Sequence, residues 1–238
     1  MDKLKLTDNI SITDLALFLE KEEILIICDT HLGYEEALNY EGILMPRHQF
    51  KDTIIRLNKI LDKVNPKTII INGDIKHEFG KISEQEWRNT IKLIDLLSKH
   101  ARLVLIKGNH DTILGPIAEK RNITIVENFF INNICITHGD KVPLADEFKK
   151  AKTLIIGHEH PAILITDKVR KELFKCFLKG RWNNKTLIVQ PSFNLVTEGT
   201  DILKENLLSP FLQKSIGDFK VYVVGDKTYF FGKAKDLT

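Results

Sequence analysis

Ile24-Leu25-Ile26-Ile27-Cys28, followed at once by Asp29-Thr30-His31, is the stretch whose reading decides the fold. Five apolar residues without a polar interruption are too few for a helix and suit a strand buried on both faces, as in a parallel sheet. The design recurs four times. Thr68 to Asn72 runs into Gly73-Asp74-Ile75-Lys76-His77, and Leu103 to Ile106 into Gly108-Asn109-His110-Asp111. Ile134 to Thr137 runs into His138-Gly139-Asp140, and Thr153 to Ile156 into Gly157-His158-Glu159-His160.

Helical patterns lie between the runs. Gln49 to Val64 places Phe50, Ile54, Leu57 and Leu61 on one face and stops at Asn65-Pro66. Ser83 to His100 opens with Ser83-x-x-Glu86, a capping box, and then lines up Trp87, Ile91, Ile94 and Leu97. Alternating strands and helices imply β-α-β units with parallel strands. The last third reads differently, as a hairpin over Leu173 to Val189 turning at Asn183-Asn184 and another over Val221 to Phe231 turning at Gly225-Asp226. The expectation is an α/β fold, a two-sheet αββα sandwich with helices outside, formed by residues 1–238 as a single domain without repeats or low-complexity linkers.

Composition narrows the class further. With 43% hydrophobic and 28% charged residues the chain can bury a sizeable core. It holds no apolar run of transmembrane length, and Met1 to Asp14 lacks the apolar region of a signal peptide. Cys28, Cys135 and Cys176 are far apart, odd in number and outside any C-x-x-C spacing, which argues against disulfides or a zinc-thiolate site and for a reducing cytoplasm. A formal charge of +3 neither identifies nor forbids a nucleic-acid partner. The basic stretch Lys168 to Arg181 reads as a solvated face or a local anion-attracting surface.

Each of the five runs thus ends in groups that bind metals, and six of the eight histidines sit in these clusters; only His48 and His100 fall outside. In α/β sheets the carboxyl ends of parallel strands share one edge, where ligands bind, so residues distant in sequence converge there. Imidazole and carboxylate without thiolate suit manganese, iron, zinc, nickel or cobalt. Asp29 and His31 alternate around Thr30, and His158 and His160 around Glu159, so an extended backbone points each pair to one side. The glycines at 73, 108, 139 and 157 permit close approach of the backbone to a metal or phosphate.

These five blocks, D-x-H, G-D-x-x-H, G-N-H-D, a later His and G-H-x-H, occur in the order found in the calcineurin-like metallophosphoesterases, which the chain resembles over Asp29 to His160. Asn72 to Gly80, Gly157 to Pro161 and Gln190-Pro191-Ser192-Phe193-Asn194 are similar to the ICC-like subgroup, which includes DNA-ligase-associated metallophosphoesterases. One departure is Thr137-His138-Gly139-Asp140, where many relatives have Gly-His-Gly. The resemblance implies two divalent ions, manganese first among those above. Asp29, His31 and His160 would hold one, and Asn109, His138 and His158 the other, with Asp74 bridging. His110 would meet the substrate and Asp111 would orient its ring.

The implied chemistry is in-line attack on phosphorus by a hydroxide shared between the two ions, with His110 serving the leaving oxygen. Two carboxylates and one hydroxide against two divalent ions leave the centre about one unit positive, which attracts an anionic ester. The leading expectation is a phosphodiesterase for small or nucleotide-like diesters. A nuclease acting on DNA ends or single strands is the second, and a non-enzymatic scaffold, like the metallophosphoesterase-fold subunit of retromer, the third. Other residues read two ways. Arg47 is a phosphate contact or a surface residue, and Ser192 and Asn194 are pocket or turn residues. His77 either orients a ligand or packs in its loop against Phe79, and Trp182 either packs in the core or stacks on a base. An exposed edge strand leaves a homodimer open.

Overall fold

The computed structural model describes residues 3–78, 83–111, 114–167 and 169–237. Phe79 and Gly80 of the quoted motif, and Lys168 of the basic stretch, lie outside the described residues. All five apolar runs are strands. Ile24–Cys28, Thr68–Asn72 and Arg102–Ile106 lie parallel in a seven-stranded sheet, whose order follows the chain and ends with Thr124–Val126. Its other flank is antiparallel: Leu4–Lys5, Ile10–Thr13 and Ala16–Leu19 extend it. The second sheet has nine strands, with Ile134–Thr137, Thr153–Ile156 and Lys185–Val189 parallel at its centre. The anticipated hairpins pair Arg170–Trp182 with Lys185–Val189 and Lys220–Val224 with Thr228–Lys233. A third, Pro161–Asp167 with Arg170–Lys175, extends the first of them.

Alternation along the second sheet shows how the layers stack. Ile134, Ile136, Ile155, Phe177 and Ile188 share one core with the first sheet. Their neighbours Cys135, Leu154, Ile156, Cys176, Leu178, Leu187 and Val189 form a second core on the outer face. Period-2 patterning therefore fills both sides of a strand that reads as a continuous apolar run. Helices Gln49–Leu61 and Glu84–His100 bury Leu57, Ile60, Leu93, Ile94 and Leu97 into the first core. The outer core is covered by the short helix Asp146–Lys150, by Phe211, Leu212 and Phe219, and by Trp182, whose ring stands 5.0 Å from that of Phe211. Trp182 is thus a packing residue. All three cysteines are free and buried. Among the described residues no helix is long and apolar enough to cross a membrane.

The first long helix ends at Leu61, three residues short of Val64 and ahead of the Asn65-Pro66 stop. The capping box forms by half. Ser83 Oγ accepts from the Glu86 amide at 3.0 Å, but Glu86 accepts from the amides of His77 and Glu78 instead of closing the box. The helix start thereby holds the loop that carries His77.

Candidate metal centre

Register brings the five ligand-bearing turns together. Cys28, Asn72 and Ile106 are neighbours in the first sheet, and Thr137, Ile156 and Val189 in the second, so the chain leaves both sheets at matching levels. Asn72 Nδ2 donates to Thr137 O at 3.0 Å and links the sheets at this edge.

Two groups of side chains converge there, each with its ligand atoms within 4.8 Å of one another: Asp29, His31 and His160, and Asp74, His138 and His158. In the first, His31 Nε2 and His160 Nε2 face each other at 3.3 Å. In the second, His138 Nε2 is 3.2 Å from His158 Nδ1 and 2.9 Å from Asn109 Oδ1. Asp74 Oδ2 stands 3.3 Å from His138 Nε2 and 3.8 Å from His31 Nε2, within reach of both groups. A third group, His31, His77 and His110, adjoins them. Asp29, Asp74, His31 and His138 are buried, whereas Asn109, His110, His158 and His160 are half-buried and form the open side.

The expectation that an extended backbone aligns Asp29 with His31, and His158 with His160, is corrected. All four have left-handed φ values, 51°, 41°, 63° and 50°, as does Asp74 at 31°. Asp, Asn and His tolerate this region better than other non-glycine residues, yet each instance costs on the order of 1–3 kcal/mol. The turns swing the side chains off the strand line and into the space between the sheets. Close approach does the rest: a Cβ at Gly73 or at Gly157 would come within 3.0 Å of the His138 ring or the Asp29 carboxylate.

The donors fit divalent cations. His31 Nδ1 is buried without a hydrogen bond, although polar atoms in such places normally have one, and Asp29 Oδ1 and His138 Nδ1, also outside any hydrogen bond, have each other at 3.3 Å. Burial opposes charge throughout, but His138 and His160 outweigh it at Asp29 and hold that carboxylate well below its usual range. At His138 burial is likewise overcome, by Asp29 and then Asp74, and its pKa lies well above the usual imidazole value. Burial, helped by His160, brings His31 down to about 3, and burial with His110 brings His77 down to about 4. Neutral imidazoles and ionised carboxylates are the forms that bind metal, and the proton on His138 is what a cation would displace.

His110 is held differently from expectation. Its Nδ1 meets the carbonyl of His77, and its backbone amide donates to Asp74 Oδ1 at 2.9 Å. Asp111 accepts from the amides of Ile75 and Gly108, both at 3.1 Å, and so ties two ligand turns together. Burial, then the neighbouring Asp74, raises Asp111 to about 7. His77 is in contact with the centre: its ring stacks on His110 at 5.7 Å and packs against Tyr34 at 4.4 Å.

The remaining candidates are placed as framework. Ser192 is buried and accepts from Lys175 Nζ at 2.9 Å. Asn194 accepts from Gln49 Nε2 at 3.1 Å, and its amide donates to Asp29 O at 3.1 Å. Arg47 is exposed and pairs with Glu36 at 3.9 Å. Three residues escaped sequence reading. Gln49 donates to Thr30 O, His31 O and Asn194 and so clamps the first ligand turn. Lys76 is fully buried and reaches the Glu78 carbonyl, and Lys175 is the buried cation that pins Ser192 and the carbonyls of Thr197 and Glu198. A glutamine at a helix start carries no motif, Lys76 lies inside the Gly73 to His77 block without being singled out, and Lys175 was read only within the basic stretch Lys168 to Arg181, where the structure buries it.

The fold is similar to that of the nuclease MPE of Pseudomonas putida, with a TM-score of 0.69 and 18% identity, covering 97% of this chain and 99% of that one. Weaker likenesses are the E. coli phosphoesterase Yfce, with a TM-score of 0.41, 9% identity and coverage of 90% and 94%, and the Aquifex aeolicus protein AQ665, with a TM-score of 0.38, 22% identity and coverage of 58% and 78%. A search of curated proteins gave no match. The family model for calcineurin-like phosphoesterases matches residues 23–225, a span that holds every ligand-bearing turn, and the chain belongs to that family.

Proposed function

We propose that this protein is a metal-dependent phosphodiesterase acting on small or nucleotide-like diesters. The observation that carries the reading is the convergence of two ligand groups on one carboxylate, Asp74, with His110 beside it. Asp29, His31 and His160 would hold one divalent ion and Asn109, His138 and His158 the other, with Asp74 shared. Such ions, when bound, act as Lewis acids toward phosphoryl oxygens and make water nucleophilic at neutral pH.

The chain's own residues supply the rest. The His77 carbonyl accepts from His110 Nδ1, which leaves Nε2, 3.9 Å from Asp74 Oδ2, turned toward the centre. From there Nε2 can serve the leaving oxygen, and the fixed ring pays little entropy in doing so. Half-buried His158, His160 and Asn109 leave an opening on the same side. A nuclease acting on DNA ends or single strands is the second reading, favoured by the whole-chain fold likeness to a protein named as a nuclease. A scaffold role fits poorly with a ligand set that has lost no member.

The test is hydrolysis of bis-p-nitrophenyl phosphate against p-nitrophenyl phosphate, with manganese, with nickel and after chelation. Metal-dependent cleavage that favours the diester is expected. Preference for the monoester would make the protein a phosphatase. Absence of turnover with two ions bound would sink the enzymatic reading.

A further inference from the structure

Three imidazoles meet beside the two ligand groups with no carboxylate among them. His31, His77 and His110 each bring a ring nitrogen within 4.8 Å of those of the other two. The ring centroids stand 5.5 Å apart for His31 and His77, 5.0 Å for His31 and His110, and 5.7 Å for His77 and His110. Nitrogens that share one tetrahedral zinc ion are about 3.4 Å apart, so a small movement of the rings closes the group on a cation. Backbone pairing fixes two of the three positions. Leu32 and Lys76 form a bridge, the Leu32 amide donates to Ile75 O at 3.0 Å, and the His77 amide donates to Leu32 O at 3.0 Å. The third is fixed by its ring, since His110 Nδ1 donates to the His77 carbonyl.

The nitrogens of this group are available to a ligand. His77 Nδ1 and His31 Nδ1 are both buried without a hydrogen bond, where polar atoms normally have one. With Nδ1 of His110 protonated toward a carbonyl, Nε2 of the neutral ring carries the lone pair. His77 and His110 are half-buried and can be reached from solution. Composition also sets the group apart, since each of the other two contains one aspartate. Carboxylate oxygen accepts manganese readily, whereas imidazole nitrogen alone favours zinc and nickel. His31 belongs both to this group and to the first. An ion here therefore sits close to the pair in the two main groups, is repelled by it and binds more weakly.

We propose that His77 and His110, with His31 shared, form a third divalent-cation site that takes zinc in preference to manganese and inhibits the enzyme. A cation bound there occupies His110 Nε2, the atom that serves the leaving oxygen. Two ions then support turnover and a third stops it, so that excess zinc silences a centre active with manganese. The inference deepens the reading of the centre as a phosphodiesterase. It rests on that reading for the loss of turnover, and on the three imidazoles alone for the site.

The experiment counts zinc bound per full chain by equilibrium dialysis and atomic emission across a range of free zinc, with manganese as the comparison. The unaltered protein is expected to take two equivalents of either metal and, at higher free concentration, a third of zinc only. His77→Ala is expected to keep two and to bind the third at least about 100-fold more weakly, since loss even of a residue outside a ligand set costs about 10–100-fold. Retention of two equivalents shows that the centre of the variant is folded. In parallel, bis-p-nitrophenyl phosphate turnover in saturating manganese is titrated with zinc, each protein being compared with its own zinc-free rate. The zinc concentration that halves turnover should rise at least about 10-fold in His77→Ala. Zinc that merely replaced manganese in the two main groups would act on both proteins at the same concentration. Saturation of the unaltered protein at two zinc ions, a third held equally by His77→Ala, or equal inhibition of both proteins would overturn the proposal. Absence of diester turnover with two ions bound would sink the phosphodiesterase reading, and the zinc count would still decide the site.

Discussion

The two sheets bring different chemistry to the same edge. The first sends both carboxylates, Asp29 and Asp74, together with Asn109 and His31, while the second sends only imidazoles, His138, His158 and His160. All the negative charge of the candidate ligand set therefore hangs on one layer, and the other supplies imidazoles. Without ions the layers balance through His138, whose two nitrogens stand 3.3 Å from Asp29 Oδ1 and 3.3 Å from Asp74 Oδ2. The difference teaches that charge and geometry are divided. With ions bound as proposed, the first sheet would set how strongly they are attracted and the second where they can sit.

The sharpest way to break this division is to remove one member from each layer. Asp74→Asn keeps the shape and removes charge, and it should lower diesterase turnover by roughly 10³-fold, beyond what loss of an outer partner costs. Metal analysis should show the loss of bound ion in the same protein. His138→Ala should also abolish loading, but it leaves Asp29 and Asp74 without their counter-ion. Its metal-free form should then lose about 3 kcal/mol or more in denaturant titration. Equal stability of the two metal-free variants would refute the division.

His110→Ala should keep both ions and lose about 10²–10⁴-fold in turnover, the range for a proton-transferring side chain. Wild-type turnover in that variant would remove His110 from the reaction. Gln49→Ala tests the tie between the layers, since Gln49 joins the His31 turn to Asn194 in the loop after the second-sheet strand Lys185–Val189. A loss of about 10–100-fold in metal affinity is expected, with the fold retained.

The smallest effect concerns Lys175 on the second sheet, whose pKa burial lowers to about 8. Between that value and the ordinary lysine range the unfolded chain binds more protons than the folded one, so stability rises with pH across about 8 to 10.4. Below about pH 8 the full cost of the buried charge is present. In Lys175→Met this rise should vanish when stability is measured by urea titration at several pH values. An unchanged slope would place the titration elsewhere.

Much of this was legible because strand signals and ligand signals are local. Ile24–Cys28, Thr68–Asn72, Ile134–Thr137 and Thr153–Ile156 are bounded in sequence by the residues that bound them in space. The clustering of candidate ligands was legible for the same reason, since histidines concentrate where the apolar runs stop. What escaped depends on tertiary contacts. The left-handed turns at Asp29 and His158 follow from the need to face a common point, which spacing alone does not reveal. One partner of the His110 ring is a backbone carbonyl, and backbone groups leave no trace in a motif. The resemblance implied an orienting role for Asp111, and its oxygens accept from the amides of Ile75 and Gly108, contacts that no motif records. The antiparallel flank of Leu4 to Leu19 went unread, since its short strands become strands only by pairing beside Ile24–Cys28.

Each ligand group draws members from both layers, His160 opposite Asp29 and His31, and His138 with His158 opposite Asp74. The distance across each group is thus set by the thickness of the aliphatic filling between the sheets, which serves as the ruler of the site. Ile136 and Ile155 on one side and Ile26 and Ile70 on the other are part of that ruler, although none touches the chemistry. Thinning the filling at such a point would be felt as a change of gauge at the rim long before it was felt as unfolding.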